Sequence, residues 1–252
     1  MTPLTQACPI SDLPGNVADA LLLLADDEFV IGHRHSEWLG LSPFLEEDLT
    51  MASIAQDELG HARALYRLLW STWGGREQGV VRRGAGDWRS CSLVERQSPS
   101  WEFALVRHTL YDMAEPYRWK QLRADHATVV PGLHALVESV LAEETFHQRH
   151  ATDLVVRLGR ANSEARGRLQ KALDNLWPDA LAMSAGATGN HRWAEPFFSS
   201  MGSLCDRAQL ILPAAREVEP LRHVDRTTRH PDFDSVSESL LAVIAFDPEA
   251  TW

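Results

Sequence analysis

The sequence predicts an all-α protein, a bundle of four long helices followed by shorter ones. Apolar residues recur three and four positions apart through several long segments, which is the period of a helix that buries one face. Glycine and proline are concentrated between those segments, where they end helices. No segment has the strict apolar–polar alternation of a half-buried strand, and no short tandem repeat is present.

The four long helices follow one another in the first part of the chain. They are predicted at about 17–38, 45–73, 101–130 and 133–158, and glycine or proline follows each of them. Residues 74–99, between the second and third helices, hold five glycines and five arginines and have no helical period. We therefore predict a long loop there, with room for a short strand or hairpin.

Smaller helices are predicted after the fourth long helix. Asn162 and Ser163 provide a cap for the first of them, which continues past Trp177. The breaks are expected at 186–190 and 217–234, and the remaining helices at about 191–212 and 235–246. We expect one domain over 1–252, in which a core bundle of about 17–160 carries extra helices over about 161–252.

Composition and charge exclude several classes of function. The formal net charge is −11, the reverse of what a nucleic-acid-binding protein needs. No apolar run approaches the roughly 20 residues that span a bilayer. The first residues lack a basic patch followed by an apolar stretch, so we expect no signal peptide and a cytoplasmic location. The three cysteines lie far apart, which favours reduced structural thiols.

Two Glu-x-x-His pairs carry the chemistry of this sequence: Glu58 with His61, and Glu144 with His147. Positions three apart share a helix face, so one carboxylate and one imidazole can reach the same metal ion. Two such pairs, with one further carboxylate from each of two other helices, are the ligands of ferritin-like di-iron carboxylate bundles. The pairs alone are weak evidence, because such spacings also arise by chance.

The helix faces on which the pairs lie give stronger evidence. The inward positions of the second helix are Glu47, Met51, Ile54, Glu58, His61, Leu65 and Leu68. Those of the fourth helix are Leu133, Val137, Val140, Glu144, His147, Ala151, Leu154 and Leu158. In both helices the acid and the histidine interrupt an apolar stripe. An unpaired carboxylate there would cost several kcal/mol, roughly, and a cation removes that cost.

The other two long helices each offer an inward acid. In the third helix, Asp112 and Glu115 both point inward, and spacing alone does not choose between them. The first helix gives the stripe Leu23, Asp26, Val30, His33 and Glu37. Glu37 is the best-placed acid near its end. Buried ion pairs are the alternative for any single residue, but for six residues together we favour metal. Carboxylates with imidazoles suit iron or manganese better than zinc.

Two kinds of side chain are candidates for supporting the ligands. Asp57 lies next to Glu58 but off its helix face, so it is positioned to orient a ligating histidine from another helix. A solvated surface acid is the alternative. His33 and His108, on the inward stripes, are further candidates for such contacts.

At these residues the sequence resembles the phenylacetic acid catabolic proteins, the ferritin-like A and C subunits of bacterial phenylacetyl-CoA 1,2-epoxidase. The segments HSE at 35–37, QDELGH at 56–61 and EETFHQR at 143–149 are similar to iron-ligand segments of the catalytic A subunit. That resemblance implies the ligands Glu37, Glu58, His61, Asp112, Glu144 and His147. Asp112 is preferred to Glu115 because an aspartate holds this place in the family.

Other segments are more similar to the C subunit. They are SEW at 36–38, LEEDL at 45–49, LVE at 93–95, LQKALDNLW at 169–177 and the C-terminal Trp252. C subunits commonly lack a complete ligand set and serve as structural partners of A. This chain is similar to C in length and tail but has every ligand position filled.

The resemblance implies a di-iron oxygenase subunit of a multicomponent monooxygenase that activates O₂ and epoxidises an aromatic acyl-CoA. It implies two iron ions, with manganese as the alternative, and electrons from a separate flavin/iron–sulfur reductase. A second ferritin-like subunit is the expected partner, in a homo- or hetero-oligomer. The alternatives are a non-catalytic structural subunit of such a complex and a ferritin-like iron-binding protein.

Overall fold

The computed structural model describes residues 13–69, 80–185, 192–214 and 226–246. These segments contain eight α-helices, one short 3₁₀ turn at Ala85–Asp87 and no strand. The helices are α1 Gly15–Ser36, α2 Leu45–Leu69, α3 Ser92–Glu95, α4 Trp101–His126, α5 Leu133–Ala161, α6 Ser163–Ala185, α7 Ala194–Ala208 and α8 Phe233–Phe246. The all-α fold class is confirmed. None of these helices is both long and apolar enough to cross a membrane.

The four long helices α1, α2, α4 and α5 make the bundle. α1 packs along α2 and α4 packs along α5, while α1 also contacts α4 and α2 contacts α5. Helices α6 and α7 cover the outer side of the α4–α5 pair, and α3 and α8 lie against α1. The arrangement is consistent with a ferritin-like bundle that carries extra helices. A single domain over 1–252 stays an expectation.

Local sequence signals explain how α4 and α5 begin. The Ser100 hydroxyl accepts a hydrogen bond from the backbone N–H of Phe103 at 3.3 Å, which caps α4. Gly132 has φ of 86° at the reversal between the two helices, a left-handed conformation that glycine adopts without strain. Asn162 accepts from the backbone N–H of Ala165 at 2.8 Å and caps α6, as predicted.

Some predicted boundaries differ from the structure or lie outside it. The predicted loop over 74–99 contains the helix α3 and the 3₁₀ turn in its described part, with no strand there. The final helix begins two residues before the predicted start. The break at 186–190, residues 217–225 of the break at 217–234, the end of the second helix beyond residue 69, Cys8 and Trp252 lie outside the described residues.

The inward stripes of α2 and α5 were predicted well. Every predicted inward residue of these two helices is buried except Leu68 and Leu158, which are half-buried. For α1 the predicted stripe was wrong, because Leu23, His33 and Glu37 are only half-buried. The residues of α1 that are buried include Leu21, Leu24, Ala25, Asp26, Asp27, Glu28, Val30, Ile31 and His35. Helix α1 is covered by α2 on one side and by α3 and α8 on another, so no single face marks its interior.

Gly159 of α5 lies where the backbone of α7 ends. A Cβ atom at position 159 would collide with the carbonyl oxygen of Ala208 and would lie 3.2 Å from the Ala208 Cβ. Gly159→Ala should therefore lower the free energy of unfolding by about 1–3 kcal/mol, because α7 must move. Urea unfolding followed by circular dichroism measures this change.

Gly167→Ala is the matched control, since a Cβ at position 167 of α6 would meet nothing within 4 Å. Alanine is the better helix former, so this variant should be more stable by about 0.5–1 kcal/mol. Equal effects at the two positions would show that α5 and α7 do not approach closely at Gly159.

Candidate metal centre

Six buried side chains from the four long helices meet in the middle of the bundle. They are Glu28 of α1, Glu58 and His61 of α2, Glu115 of α4, and Glu144 and His147 of α5. We call them the six-residue cluster. One ligand atom from each of Glu28, Glu58 and His61 lies within 4.8 Å of the others, and the same holds for Glu58, Glu144 and His147. Glu58 therefore belongs to both groups.

Both histidines turn their Nδ1 atoms toward the carboxylates. His61 Nδ1 is 3.3 Å from Glu28 Oε2 and 3.5 Å from Glu58 Oε2. His147 Nδ1 is 3.2 Å from Glu144 Oε1 and 3.5 Å from Glu58 Oε1. Each oxygen of Glu58 thus faces a different histidine, which is the position of a carboxylate between two metal ions.

The outer nitrogens of the two histidines are held by the residues that precede the glutamates. His147 Nε2 is 3.2 Å from Asp57 Oδ2, and His61 Nε2 is 2.7 Å from Glu143 Oε2. The predicted contact between Asp57 and a histidine of another helix is therefore confirmed. The sequence pattern did not single out Glu143, although an acid precedes the glutamate of each pair. A carboxylate at Nε2 favours the tautomer with a proton there, so when the imidazole is neutral its Nδ1 lone pair faces the cluster.

Arginines neutralise the two acids of α1 that precede Glu28. Asp26 contacts Arg83 at 2.6 Å and accepts from the Tyr66 hydroxyl at 2.5 Å. Asp27 contacts Arg226 at 2.7 Å and also Arg118. Burial by itself raises the pKa of Asp27, but the two arginines outweigh burial and hold it below its usual value of 3.8. These two acids are ordinary buried ion pairs.

The carboxylates of the six-residue cluster have no such partners. Within the described part of the chain, none of the four has an arginine or lysine nitrogen within 4.0 Å. Glu28 accepts a hydrogen bond from the Tyr111 hydroxyl at 3.1 Å. Both oxygens of Glu58, Glu115 and Glu144 are buried without a hydrogen-bond partner. Buried charges are normally paired or bound to metal, and two imidazoles are too few to balance four carboxylates, so arginine ion pairs like those of Asp26 and Asp27 do not account for this cluster.

The electrostatics show what the cluster does without a cation. Burial, and then neighbouring carboxylates, raise the pKa values of Glu28, Glu115 and Glu144 well above 4.5. Burial acts on Glu58 in the same direction, but the neighbouring imidazoles of His147 and His61 outweigh it and lower its pKa. Burial would lower the pKa of His61, yet Glu58 raises it to about 9. Protons must therefore take the place of cations.

The donor set fits a pair of metal ions. Orphaned oxygens of three glutamates and the unpartnered Nδ1 of His147 point into one buried space. Four carboxylates and two imidazoles suit iron or manganese, whereas zinc usually takes fewer carboxylates. The six side chains also follow the order of di-iron bundles, one glutamate from each of two helices and a Glu-x-x-His pair from each of the others.

The structure brings together four of the predicted ligands and separates a fifth. Glu58, His61, Glu144 and His147 lie in the cluster. Glu37 does not, because it follows the last turn of α1, its side chain is 30% exposed and it contacts Arg34 at 2.7 Å. Glu28 occupies the place expected of Glu37. A signal for Glu28 was present, since it lies four residues after Leu24 and three before Ile31, both buried.

Asp112 and Glu115 take different positions in α4. Both are buried and both have an oxygen within 4.8 Å of Glu58. The charge of Glu28 contributes to the raised pKa of Glu115. Asp112 instead has Oδ2 at 3.0 Å from Nδ1 of His108, a histidine that belongs to neither Glu-x-x-His pair. The geometry therefore favours Glu115, the alternative that the sequence left open, as the α4 member of the cluster.

Comparison with known proteins identifies the family. The family described as phenylacetic acid catabolic protein matches residues 12–252. The chain belongs to this family. Two curated relatives, both from Escherichia coli (strain K12), are the C and A subunits of 1,2-phenylacetyl-CoA epoxidase. The predicted resemblance to the phenylacetic acid catabolic proteins is confirmed.

The likeness to these two relatives is distant and partial. The C subunit is 27% identical over 158 residues, which cover 62% of this chain and 62% of the relative. The A subunit is 26% identical over 160 residues, which cover 60% of this chain and 51% of the relative. The two identities are nearly equal, so they support membership of the phenylacetic acid catabolic proteins without assigning the chain to either type.

Without divalent cations, we expect the free energy of unfolding to fall as the pH rises from about 6.5 to about 9. Glu28, Glu115 and Glu144 have raised pKa values, so the fold holds protons that the unfolded chain has already released. His61, whose pKa is raised from 6.5 to about 9, acts in the same direction. Glu58, with a lowered pKa, contributes only at the acid end. Urea unfolding of chelator-treated protein across this range measures the slope.

Glu115→Gln tests whether the cluster causes the dependence of the free energy of unfolding on pH. An amide is neutral without a proton, so the metal-free variant should lose part of the dependence on pH. Glu37→Gln changes a half-exposed acid outside the cluster and should keep the wild-type slope. A wild-type stability that rises with pH over this range would contradict the raised pKa values.

Proposed function

We propose that this chain is the di-iron oxygenase subunit of a multicomponent epoxidase that acts on an aromatic acyl-CoA. The observation that carries the proposal is the six-residue cluster, four carboxylates and two imidazoles buried with no arginine or lysine beside them among the described residues. Membership of the phenylacetic acid catabolic proteins supports the substrate class. The relatives named as subunits of 1,2-phenylacetyl-CoA epoxidase support the reaction and the multicomponent assembly.

The proposed ligands are the six-residue cluster itself. They differ from the set that the resemblance implied by having Glu28 for Glu37 and Glu115 for Asp112. Glu58 would lie between the two ions, since each of its oxygens faces a different histidine. When bound, two iron ions supply the redox chemistry that activation of O₂ and transfer of one oxygen atom require.

The surrounding residues hold the ligands in place. Asp57 and Glu143 accept the Nε2 protons of the two histidines and keep each Nδ1 lone pair directed inward. Tyr111 donates to Glu28 and fixes one of its oxygens. The Trp119 ring meets the His61 ring edge to face at 5.9 Å and excludes water from that side. Side chains supported in this way would hold the ions in a fixed geometry.

The proposed partners supply what this chain lacks for turnover. Electrons would come from a separate flavin/iron–sulfur reductase, and a second ferritin-like subunit would complete the complex. The names of the two relatives, which are different subunits of one enzyme, support a hetero-oligomer. The alternative of a structural subunit draws support from the likeness to the C-type relative. The complete cluster favours the catalytic role, because a scaffold has no need of four buried, unpaired carboxylates.

Iron binding should depend on Glu28 and not on Glu37. Anaerobic reconstitution with Fe²⁺, followed by desalting and elemental analysis, should give about two iron ions per wild-type chain. Glu28→Gln should retain fewer than about one, since an amide is a weak iron ligand. Glu37→Gln should retain the wild-type amount. Loss of iron from Glu37→Gln alone would return the ligand to the position that the sequence predicted.

Product formation separates the proposed function from its alternatives. The chain, combined with a reductase and a second ferritin-like subunit, should convert phenylacetyl-CoA to an epoxide that carries one oxygen atom from ¹⁸O₂, detected by mass spectrometry. Glu144→Ala should reduce this product to background, because it removes a ligand. Glu37→Gln should not. A structural subunit would support turnover equally well with Glu144→Ala, and an iron-binding protein would take up iron without yielding product.

A further inference from the structure

A second group of possible ligands lies beside the six-residue cluster. His35 of α1 and His108 and Asp112 of α4 are all fully buried. One ligand atom from each lies within 4.8 Å of the others, and the two imidazole rings meet edge to face with centroids 5.0 Å apart. The proposed iron pair uses none of these three residues.

A chain of hydrogen bonds from Glu47 through His150 orients the ring of His108. His150 Nε2 is 2.7 Å from Glu47 Oε2, so it donates its proton to that carboxylate. Burial lowers the pKa of His150, which leaves its Nδ1 as an acceptor. His108 Nε2 lies 3.4 Å from this acceptor and donates to it. This hydrogen bond requires a proton on His108 Nε2 and leaves Nδ1 free to carry a lone pair.

That lone pair faces another acceptor. His108 Nδ1 is 3.0 Å from Asp112 Oδ2, yet neither atom has a hydrogen-bond partner. Two acceptors at this distance repel each other unless a positive charge lies against both. Two neighbouring ligand atoms of an octahedral metal ion also lie about 3.0 Å apart when each is about 2.1 Å from the ion. The distance between His108 Nδ1 and Asp112 Oδ2 matches this spacing.

His35 gives an independent indication of a missing partner. Both of its ring nitrogens are buried without a hydrogen bond, although an unmet buried donor or acceptor destabilises a fold. Burial lowers the pKa of His35 well below 6.5, which favours the neutral imidazole. A neutral imidazole is the form that binds a metal ion.

We propose that His35, His108 and Asp112 bind a third divalent cation, separate from the iron pair. Two imidazoles and one carboxylate are the donors of mononuclear Fe²⁺ sites and of several Zn²⁺ sites, so the ion is of this borderline first-row class. His150 and Glu47 then support His108 as Asp57 and Glu143 support the other histidines.

Cobalt titration tests the site, because Co²⁺ binds such donors and is visible by its absorption. The full-length chain is stripped with a chelator, titrated with Co²⁺ and analysed for cobalt after equilibrium dialysis. We expect about three ions per wild-type chain and about two for His35→Ala and His108→Ala. His134→Ala, which removes an exposed imidazole of α5, is the control and should keep three.

His150→Ala keeps the proposal testable if a core variant fails to fold. It leaves all three ligands in place but removes the support of His108, so the third ion should bind roughly 10–100-fold more weakly. The other two ions should bind unchanged. Wild-type stoichiometry and affinity in the folded His35, His108 and His150 variants would overturn the proposal.

Glu144→Ala distinguishes this proposal from the proposed function. It should lose ions of the pair and keep the one bound at His108. An ion that is lost with His108→Ala but unaffected by Glu144→Ala would support the third site even if the pair does not form. Ions lost only with Glu144→Ala would support the pair alone and would contradict the third site.

Discussion

Four carboxylates lie in the middle of the bundle beside two imidazoles, with no arginine or lysine to balance them in the described part of the chain. Removing each charge from water costs several kcal/mol, roughly, unless a partner compensates. Protons or cations are the two available partners. The raised pKa values of Glu28, Glu115 and Glu144 show that protons occupy the site when cations do not. Metal binding must therefore release protons, and metal affinity and stability are linked through pH.

Helix α1 shows that this imbalance is confined to one position. Asp26, Asp27 and Glu28 are consecutive and all fully buried. The first two receive arginines from segments outside the long helices, which fastens those segments to the bundle. Glu28 receives a tyrosine and a histidine instead. A chain that provides arginines for two neighbouring acids and none for the third keeps the third available for a ligand.

The sequence predicted most where a helix buries one face. In α2 and α5 the apolar stripe lies on one side of the helix, so the polar residues that interrupt it could be recognised in the sequence. They are Glu58, His61, Glu144 and His147. Helix α1 is covered on more than one side, and its period therefore gave the wrong stripe and selected Glu37. Nearly all of the first half of α4 is buried, so spacing alone did not separate Asp112 from Glu115. Gly32 marks the close approach of α1 to α2 beside the cluster, because a Cβ at this position would lie 3.0 Å from the Glu58 Cβ.

Asp112, which the resemblance selected as an iron ligand, lies between the two groups of donors. It is within 4.8 Å of Glu58 and Glu115 on one side and of His35 and His108 on the other. A negative charge on Asp112 therefore acts on both groups, since the low dielectric constant of the core screens it weakly. A cation held by His35 and His108 would neutralise Asp112 and reduce the repulsion that Glu58 and Glu115 experience. Occupancy of one group then favours ionised carboxylates in the other, which couples the two groups without any movement of the helices.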